Sequence, residues 1–190
     1  EAARALYVFG HGAGAGMRHV FMETVAGKLS DLGVATFRYD FPFMEAGRRG
    51  PNPAPILVKT VGSAVTEAAS LAPDLPLLAG GKSMGGRIAS QIAAAPERGS
   101  TDATPAVDVA GLVLLGYPLH PPSRPDKMRD AHLPRVEAPI LVVQGSRDSF
   151  GTEDELRAVF DPLPAARLHV VEGGDHSLTI RRKSAPPREE

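Results

Sequence analysis

Three residue types that can act together as a proton relay occur in this 190-residue chain in a suitable order. Ser83 is the central residue of a G-x-S-x-G pattern between Gly81 and Gly85, which favours a nucleophile at a sharp turn from a strand into a helix. Asp148 and His176 follow it, in the order serine, acid, histidine. We expect His176 to take the Ser83 proton while Asp148 orients the ring, so that the serine oxygen can attack an acyl carbon.

Two backbone N–H groups are the predicted partners of the negative charge that such an attack creates. One is the N–H of Met84, at the start of the helix after Ser83, where the positive end of the helix dipole also lies. The other is the N–H of Ala13, because His11 to Gly14 form an H-G-x-G pattern after the first predicted strand. A flexible glycine loop without this role is the alternative for that segment.

The remaining acidic residues and histidines give weaker indications of a catalytic or metal-binding role. Asp175 is an alternative acid, but it is adjacent to His176, and neighbouring side chains rarely have the geometry that a relay needs. His169 falls inside a predicted strand, and His19 and His132 lack the spacing of a metal site. The chain has no H-E-x-x-H and no cysteine, so we expect neither a metal nor a cysteine nucleophile.

Two phosphate-binding interpretations of the glycines fail on their spacing. A P-loop ending in Gly81, Lys82 and Ser83 would need a glycine at position 76, which is Pro76. The glycines at positions 10, 12, 14 and 16 never complete G-x-G-x-x-G. We therefore expect no nucleotide, and no other cofactor.

The composition gives no support for a nucleic-acid or membrane partner, and the predicted Ser-His-Asp relay favours a small-molecule acyl substrate. A formal net charge of −1 supplies no broad field for nucleic acid or an anionic lipid surface. No run approaches 18 apolar residues, and no signal-peptide pattern opens the chain. A cytoplasmic location is expected, and the sequence does not indicate a protein partner.

The elements that must position these residues alternate between strands and helices. Apolar runs of strand length are Leu6 to Phe9, Val34 to Tyr39, Leu75 to Ala79, Val109 to Leu115, Ile140 to Gln144 and Leu168 to Val171. Helical segments are Met17 to Leu32, Ile56 to Leu71, Met84 to Ala95 and Thr152 to Phe160. This order predicts an α/β protein, a three-layer α/β/α sandwich with a mostly parallel sheet and a site beyond the carboxyl ends of its strands. We expect one domain over residues 1–180 and a flexible tail over 181–190.

Six segments together resemble the dienelactone-hydrolase-like α/β-hydrolases. They are H-G-A-G, F-R-Y-D-F-P-F, G-K-S-M-G-G-R, G-Y-P-L-H-P-P, Q-G-S-R-D and G-G-D-H-S. The chain is most similar to the branch with testis-expressed homologues and a subunit of a histone-acetyltransferase complex. The resemblance implies triad positions for Ser83, Asp148 and His176, and an oxyanion position at Gly12 and Ala13. Dienelactone hydrolases proper use a cysteine nucleophile, so their lactone substrate is not implied.

The resemblance implies a minimal α/β-hydrolase fold, since the 24 residues from Gly116 to Pro139 leave no space for a lid domain. We expect an open site with apolar and polar residues around it, although core packing explains the aromatic ones equally well. The candidate substrate contacts are His11, Gly12, Phe41, Phe43, Tyr117, His120 and Phe150. The function expected is a carboxylesterase or thioesterase with an acyl-enzyme intermediate. The alternative is a non-catalytic binding or scaffolding subunit.

Overall fold

Six strands form one parallel sheet in the computed structural model, which describes residues 2–96 and 107–180. The strands are β1 (Ala5–Gly10), β2 (Val34–Tyr39), β3 (Leu77–Lys82), β4 (Gly111–Leu115), β5 (Ile140–Gly145) and β6 (Ala166–Val171). Their order across the sheet is β2-β1-β3-β4-β5-β6, and each neighbouring pair is parallel. Because the strands share one direction, the loops that follow them all lie along the same edge.

The helices cover the two faces of the sheet unequally. They are α1 (Val20–Asp31), α2 (Pro42–Glu45), α3 (Ala54–Leu71), α4 (Met84–Ile92) and α5 (Glu153–Phe160), with a 3-10 turn at Leu133–Arg135. Apolar residues of α3, α4 and α5 pack with alternate strand residues in the larger core. Met22 of α1 packs with Tyr7 and Phe9 in a smaller cluster, on the opposite side of β1. The predicted α/β/α sandwich is confirmed, with α1 in one outer layer and α3, α4 and α5 in the other.

Several element boundaries differ from the sequence-based prediction, and two of them have clear local reasons. Helix α1 begins at Val20 rather than Met17, because the His19 ring Nδ1 accepts the Phe21 N–H and caps the first turn. Strand β3 continues through Gly80 and Gly81 to Lys82 instead of ending at Ala79. A Cβ at Gly80 would overlap the Val113 carbonyl, so the glycine allows a close strand contact there.

The connection between β4 and β5 carries no lid. It contains the short 3-10 turn at Leu133–Arg135 and otherwise lacks helix or strand between residues 116 and 139. Within residues 2–96 and 107–180, no helix combines the length and apolar character needed to cross a membrane. The predicted tail at 181–190 lies outside the described residues.

Candidate active site

The turn from β3 into α4 holds Ser83 in a conformation that few side chains adopt. Its φ is 51° and its ψ is −114°, and α4 begins with the next residue. The Ser83 N–H donates a 2.9 Å hydrogen bond to the Leu115 carbonyl, which fixes the turn against β4. A Cβ at Gly81 or Gly85 would overlap the Gly10 carbonyl, so glycine on both sides of the serine permits β1 to approach. The local structure is that of a nucleophile elbow.

Ser83, His176 and Asp148 form a continuous hydrogen-bonded series at the carboxyl edge of the sheet. The Ser83 Oγ lies 2.9 Å from His176 Nε2, and His176 Nδ1 lies 2.7 Å from Asp148 Oδ2. The three residues follow β3, β6 and β5, so the strand order brings distant parts of the chain together. With Nδ1–H donating to the carboxylate, Nε2 is free to accept the serine proton.

Asp148 is buried, and neighbouring groups donate hydrogen bonds to both of its carboxylate oxygens. Its side chain is 2% exposed, its Oδ2 accepts a 2.7 Å hydrogen bond from Gln144 Nε2, and its Oδ1 accepts the Phe150 N–H at 2.9 Å. Gln144 in turn accepts the Tyr117 N–H through Oε1. Sequence analysis missed Gln144, although its place four residues before Asp148 at the end of a buried strand was a usable signal.

Asp175, the alternative acid, serves the backbone of its own loop. Its Oδ1 accepts the Ser177 N–H at 2.8 Å and the Thr179 N–H at 3.0 Å. The carboxylate in hydrogen-bond contact with His176 is that of Asp148.

The loop after β1 lies directly beside Ser83. A Cβ built on Gly12 would be 3.6 Å from the Ser83 Cβ, and Ala13 lies on the wall of the adjoining cavity. The Met84 side chain is buried in the core, while its N–H is the first of α4. The predicted oxyanion donors, Ala13 and Met84, thus come from the two segments that flank the serine.

His11, one of the expected substrate contacts, supports this loop from its buried side. It is fully buried, its Nδ1 lies 2.7 Å from the Gly12 carbonyl, and its Nε2 accepts the Phe41 N–H at 3.0 Å. Burial lowers the pKa of His11, which agrees with a neutral ring that donates through one nitrogen and accepts through the other. The ring therefore ties the loop after β1 to the loop after β2.

A cavity of about 830 Å³ opens beside Ser83, within the usual size for a small-molecule site. Its apolar wall comes mainly from α1 and from the loop after β6. The apolar lining residues include Val20, Phe21, Met22, Val25, Leu115, Phe150 and Leu178. The Phe150 ring stacks on His176 with centroids 4.1 Å apart, so one side of the relay is covered by an aromatic face. Of the expected substrate contacts, Gly12 and Phe150 lie on this wall.

The other expected substrate contacts lie outside the lining of this cavity. Phe41 and Phe43 are 0% and 1% exposed and pack in the larger core, because the chain after β2 turns toward the α3 and α4 side of the sheet. Tyr117 is equally buried, with its hydroxyl donating to the Arg129 carbonyl at 2.7 Å. His120 is 5% exposed, between the Pro121 carbonyl and a side-chain carboxylate of α5.

Lys82 is a further cavity residue that the sequence analysis did not single out. Its side chain is 9% exposed and lies on the cavity wall. Burial lowers its pKa from 10.5 to about 8, more than the nearby charges of Asp148 and Asp175 raise it. A lysine at the carboxyl end of an otherwise buried strand was the available signal.

Metal ligation has no candidate cluster in the described part of the chain. Residues 2–96 and 107–180 contain no group of three His, Cys, Asp or Glu side chains placed to hold an ion.

A parallel sheet with a serine elbow after a central strand, and an acid and a histidine after later strands, defines a serine-hydrolase type of α/β protein. Residues 3–190 match the profile of the alpha/beta hydrolase domain, and the chain belongs to that family.

Solved structures share this fold at low sequence identity. An α/β serine hydrolase homologue from Coxiella burnetii has a TM-score of 0.73 and 19% identity, over 92% of this chain and 78% of that one. A lidless α/β serine hydrolase from Xanthomonas campestris has a TM-score of 0.72 and 16% identity, over 94% and 75%. A dienelactone hydrolase from Anabaena variabilis has a TM-score of 0.66 and 22% identity, over 93% and 78%. These likenesses show the fold, which is that of a lidless hydrolase.

Proposed function

We propose that this protein is a serine hydrolase that cleaves carboxylic esters or thioesters through an acyl-enzyme intermediate. The observation that carries the proposal is the unbroken series from the Ser83 Oγ through the His176 ring to the buried Asp148 carboxylate, with contacts of 2.9 and 2.7 Å. A binding or scaffolding subunit would not need a serine in a strained turn with a histidine aligned on its oxygen.

The proposed reaction begins when the Ser83 Oγ attacks the acyl carbon and its proton moves to His176 Nε2. The N–H groups of Ala13 and Met84 stabilise the negative oxygen, and Asp148 stabilises the imidazolium. His176 then gives the proton to the leaving alcohol or thiol. A water molecule, deprotonated by the same ring, hydrolyses the acyl-serine and restores the enzyme.

The open connection between β4 and β5 suits substrates of modest size, because no lid is present to cover a long acyl chain. The six segments that resemble the branch with testis-expressed homologues and the acetyltransferase-complex subunit support membership in that branch, which stays a prediction. The choice between ester and thioester also belongs to the proposal, as does a cytoplasmic location.

A fluorophosphonate probe tests the nucleophile directly. The wild-type protein should gain the mass of one adduct by intact-mass analysis, and Ser83→Ala should gain none. Ser90→Ala is the matched control, because the Ser90 Oγ also lies 2.8 Å from a histidine nitrogen, His132 Nε2, but is fully buried away from the cavity. Labelling that survives Ser83→Ala, or that is lost in Ser90→Ala, would refute the assignment.

A further inference from the structure

The residue before Ser83 places a positive charge at the cavity wall. The Lys82 Nζ is buried and has no hydrogen-bond partner among the described residues. It lies 5.9 Å from the centroid of the Phe21 ring, which also lines the cavity. A Cβ added to Gly116 would be 2.8 Å from both the Lys82 Nζ and the His176 carbonyl oxygen. The ammonium thus lies between α1 and the segment that carries His176.

An ammonium in this position is costly to the folded protein unless something pairs with it. Buried charges in proteins are normally paired and hydrogen-bonded, and an apolar residue of similar volume usually gives equal or greater stability. Asp148 and Asp175 attract the charge at longer range, but burial outweighs them and lowers the pKa of Lys82 to about 8. Residues 2–96 and 107–180 therefore leave the three donors of Nζ without an acceptor.

The cavity around Lys82 offers a bound ligand more apolar surface than polar groups. Phe21, Leu115 and Leu178 supply apolar surface near Lys82. In such sites a small number of polar groups fixes the orientation of the ligand. The unbranched lysine stem has four rotatable bonds, so Nζ can turn toward a bound acceptor without movement of the backbone.

We propose that Lys82 binds a carboxylate carried by the substrate, so that the preferred substrates are esters or thioesters with a free carboxylate on the acyl or the alcohol group. The inference rests on the proposed function, because Ser83 would act on the bond that Lys82 helps to place. A charge-assisted hydrogen bond is stronger than a neutral one, and it would make Lys82 a residue that determines specificity.

Two pairs of ester substrates test whether Lys82 recognises a carboxylate on the acyl group or on the alcohol group. The acyl-side pair is mono-para-nitrophenyl adipate and its neutral methyl ester. The alcohol-side pair is para-acetoxybenzoate and its neutral methyl ester. The measured quantity is the ratio of kcat/KM for the anionic member to that for the neutral member. Because the ratio is taken within one variant, any general loss of activity cancels.

In one of the two pairs, the wild-type protein should favour the anionic ester, and Lys82→Met should lower the ratio roughly 10- to 100-fold, as expected for a hydrogen bond between charged groups. Lys28→Met is the matched control. It removes the same charge from an 80% exposed side chain of α1 outside the cavity, and its ratio should equal that of wild type. A wild-type ratio near one in both pairs, or an unchanged ratio in Lys82→Met, would overturn the proposal.

Failure of the hydrolase proposal would be seen separately, as absence of both the fluorophosphonate adduct and hydrolysis of the neutral esters. In that event, binding of monomethyl adipate decides the role of Lys82. A rise in the thermal unfolding midpoint of wild type that is absent in Lys82→Met supports carboxylate binding. Equal midpoint shifts in the two proteins refute it.

Discussion

Replacing Lys82 with methionine should stabilise the folded protein, even though the change removes a charged residue beside Ser83. The side chain is 9% exposed, and methionine retains an unbranched stem of similar volume. Burial lowers the pKa of Lys82 from 10.5 to about 8. Because each unit of pKa shift corresponds to about 1.4 kcal/mol, the protonated Lys82 destabilises the folded state by about 3 kcal/mol near neutral pH. We expect Lys82→Met to recover about 1 to 3 kcal/mol, since local repacking will offset part of the gain.

The same pKa difference gives the wild-type protein a pH dependence that the variant lacks. Folded Lys82 releases its proton near pH 8, whereas the unfolded chain retains it up to about pH 10.5. Between these values the unfolded state binds more protons, so the free energy of unfolding rises with pH. Below pH 8 the full cost is present. The stability difference between Lys82→Met and wild type should therefore be largest at pH 7 and shrink toward pH 10.

Urea denaturation followed by far-UV circular dichroism measures this difference at pH 7 and pH 9.5. Lys28→Met is again the control, because Lys28 is exposed and its loss should give a small difference from wild type at both pH values. A Lys82→Met variant that is less stable than wild type at pH 7, or that has the same advantage at both pH values, would show that burial of the Lys82 charge does not destabilise the fold.

Three further outcomes are expected. Asp148→Asn should lower kcat by about 10⁴, because the amide favours the wrong imidazole tautomer. A comparable loss in Asp175→Asn, with activity retained in Asp148→Asn, would show that Asp175 is the acid of the relay. In urea denaturation, Gly116→Ala should lower the free energy of unfolding more than Gly47→Ala does, by about 1 kcal/mol or more. The two glycines have similar backbone angles, with φ of +63° at Gly116 and +61° at Gly47. Of the two, only Gly116 has atoms near the position of a new Cβ, with the His176 carbonyl oxygen at 2.8 Å. The kcat/KM of para-nitrophenyl esters should plateau or fall beyond about eight acyl carbons, and a steady rise to palmitate would contradict a lidless site.

The strands of this fold could be predicted from sequence because parallel strands are buried on both faces and appear as continuous apolar runs. The interval from Val34 to Tyr39 matches β2 at both ends. The end of β3 was predicted three residues early, because Gly80 and Gly81 do not look like strand residues. Gly80 and Gly81 belong to the strand because β1 and β4 approach their backbone too closely for a side chain, and this distance is a property of the assembled sheet.

The hydrogen-bonded series at the site could be predicted from chain order and glycine context, but its surroundings could not. Which residues form the cavity wall depends on the strand order, which brings α1 beside the loop after β6. Phe41 and Phe43 follow a strand at the correct edge, as the prediction required, yet they turn into the core on the other side of the sheet. That no described residue accepts a hydrogen bond from the Lys82 ammonium likewise depends on which atoms the fold brings near it.

The end of β3 concentrates two unfavourable features in consecutive residues. Ser83 occupies a backbone conformation that costs about 1 to 3 kcal/mol, and Lys82 carries a buried charge of comparable cost. β3 is a central strand, and Ala79 and Ile88 are almost completely buried in the larger core on its opposite side. That packing holds the strand end in place despite both costs. An apolar residue at position 82 and a glycine at position 83 would give a more stable sheet. We therefore explain the lysine and the serine by their proposed roles at the cavity, where Lys82 binds the substrate and Ser83 attacks it.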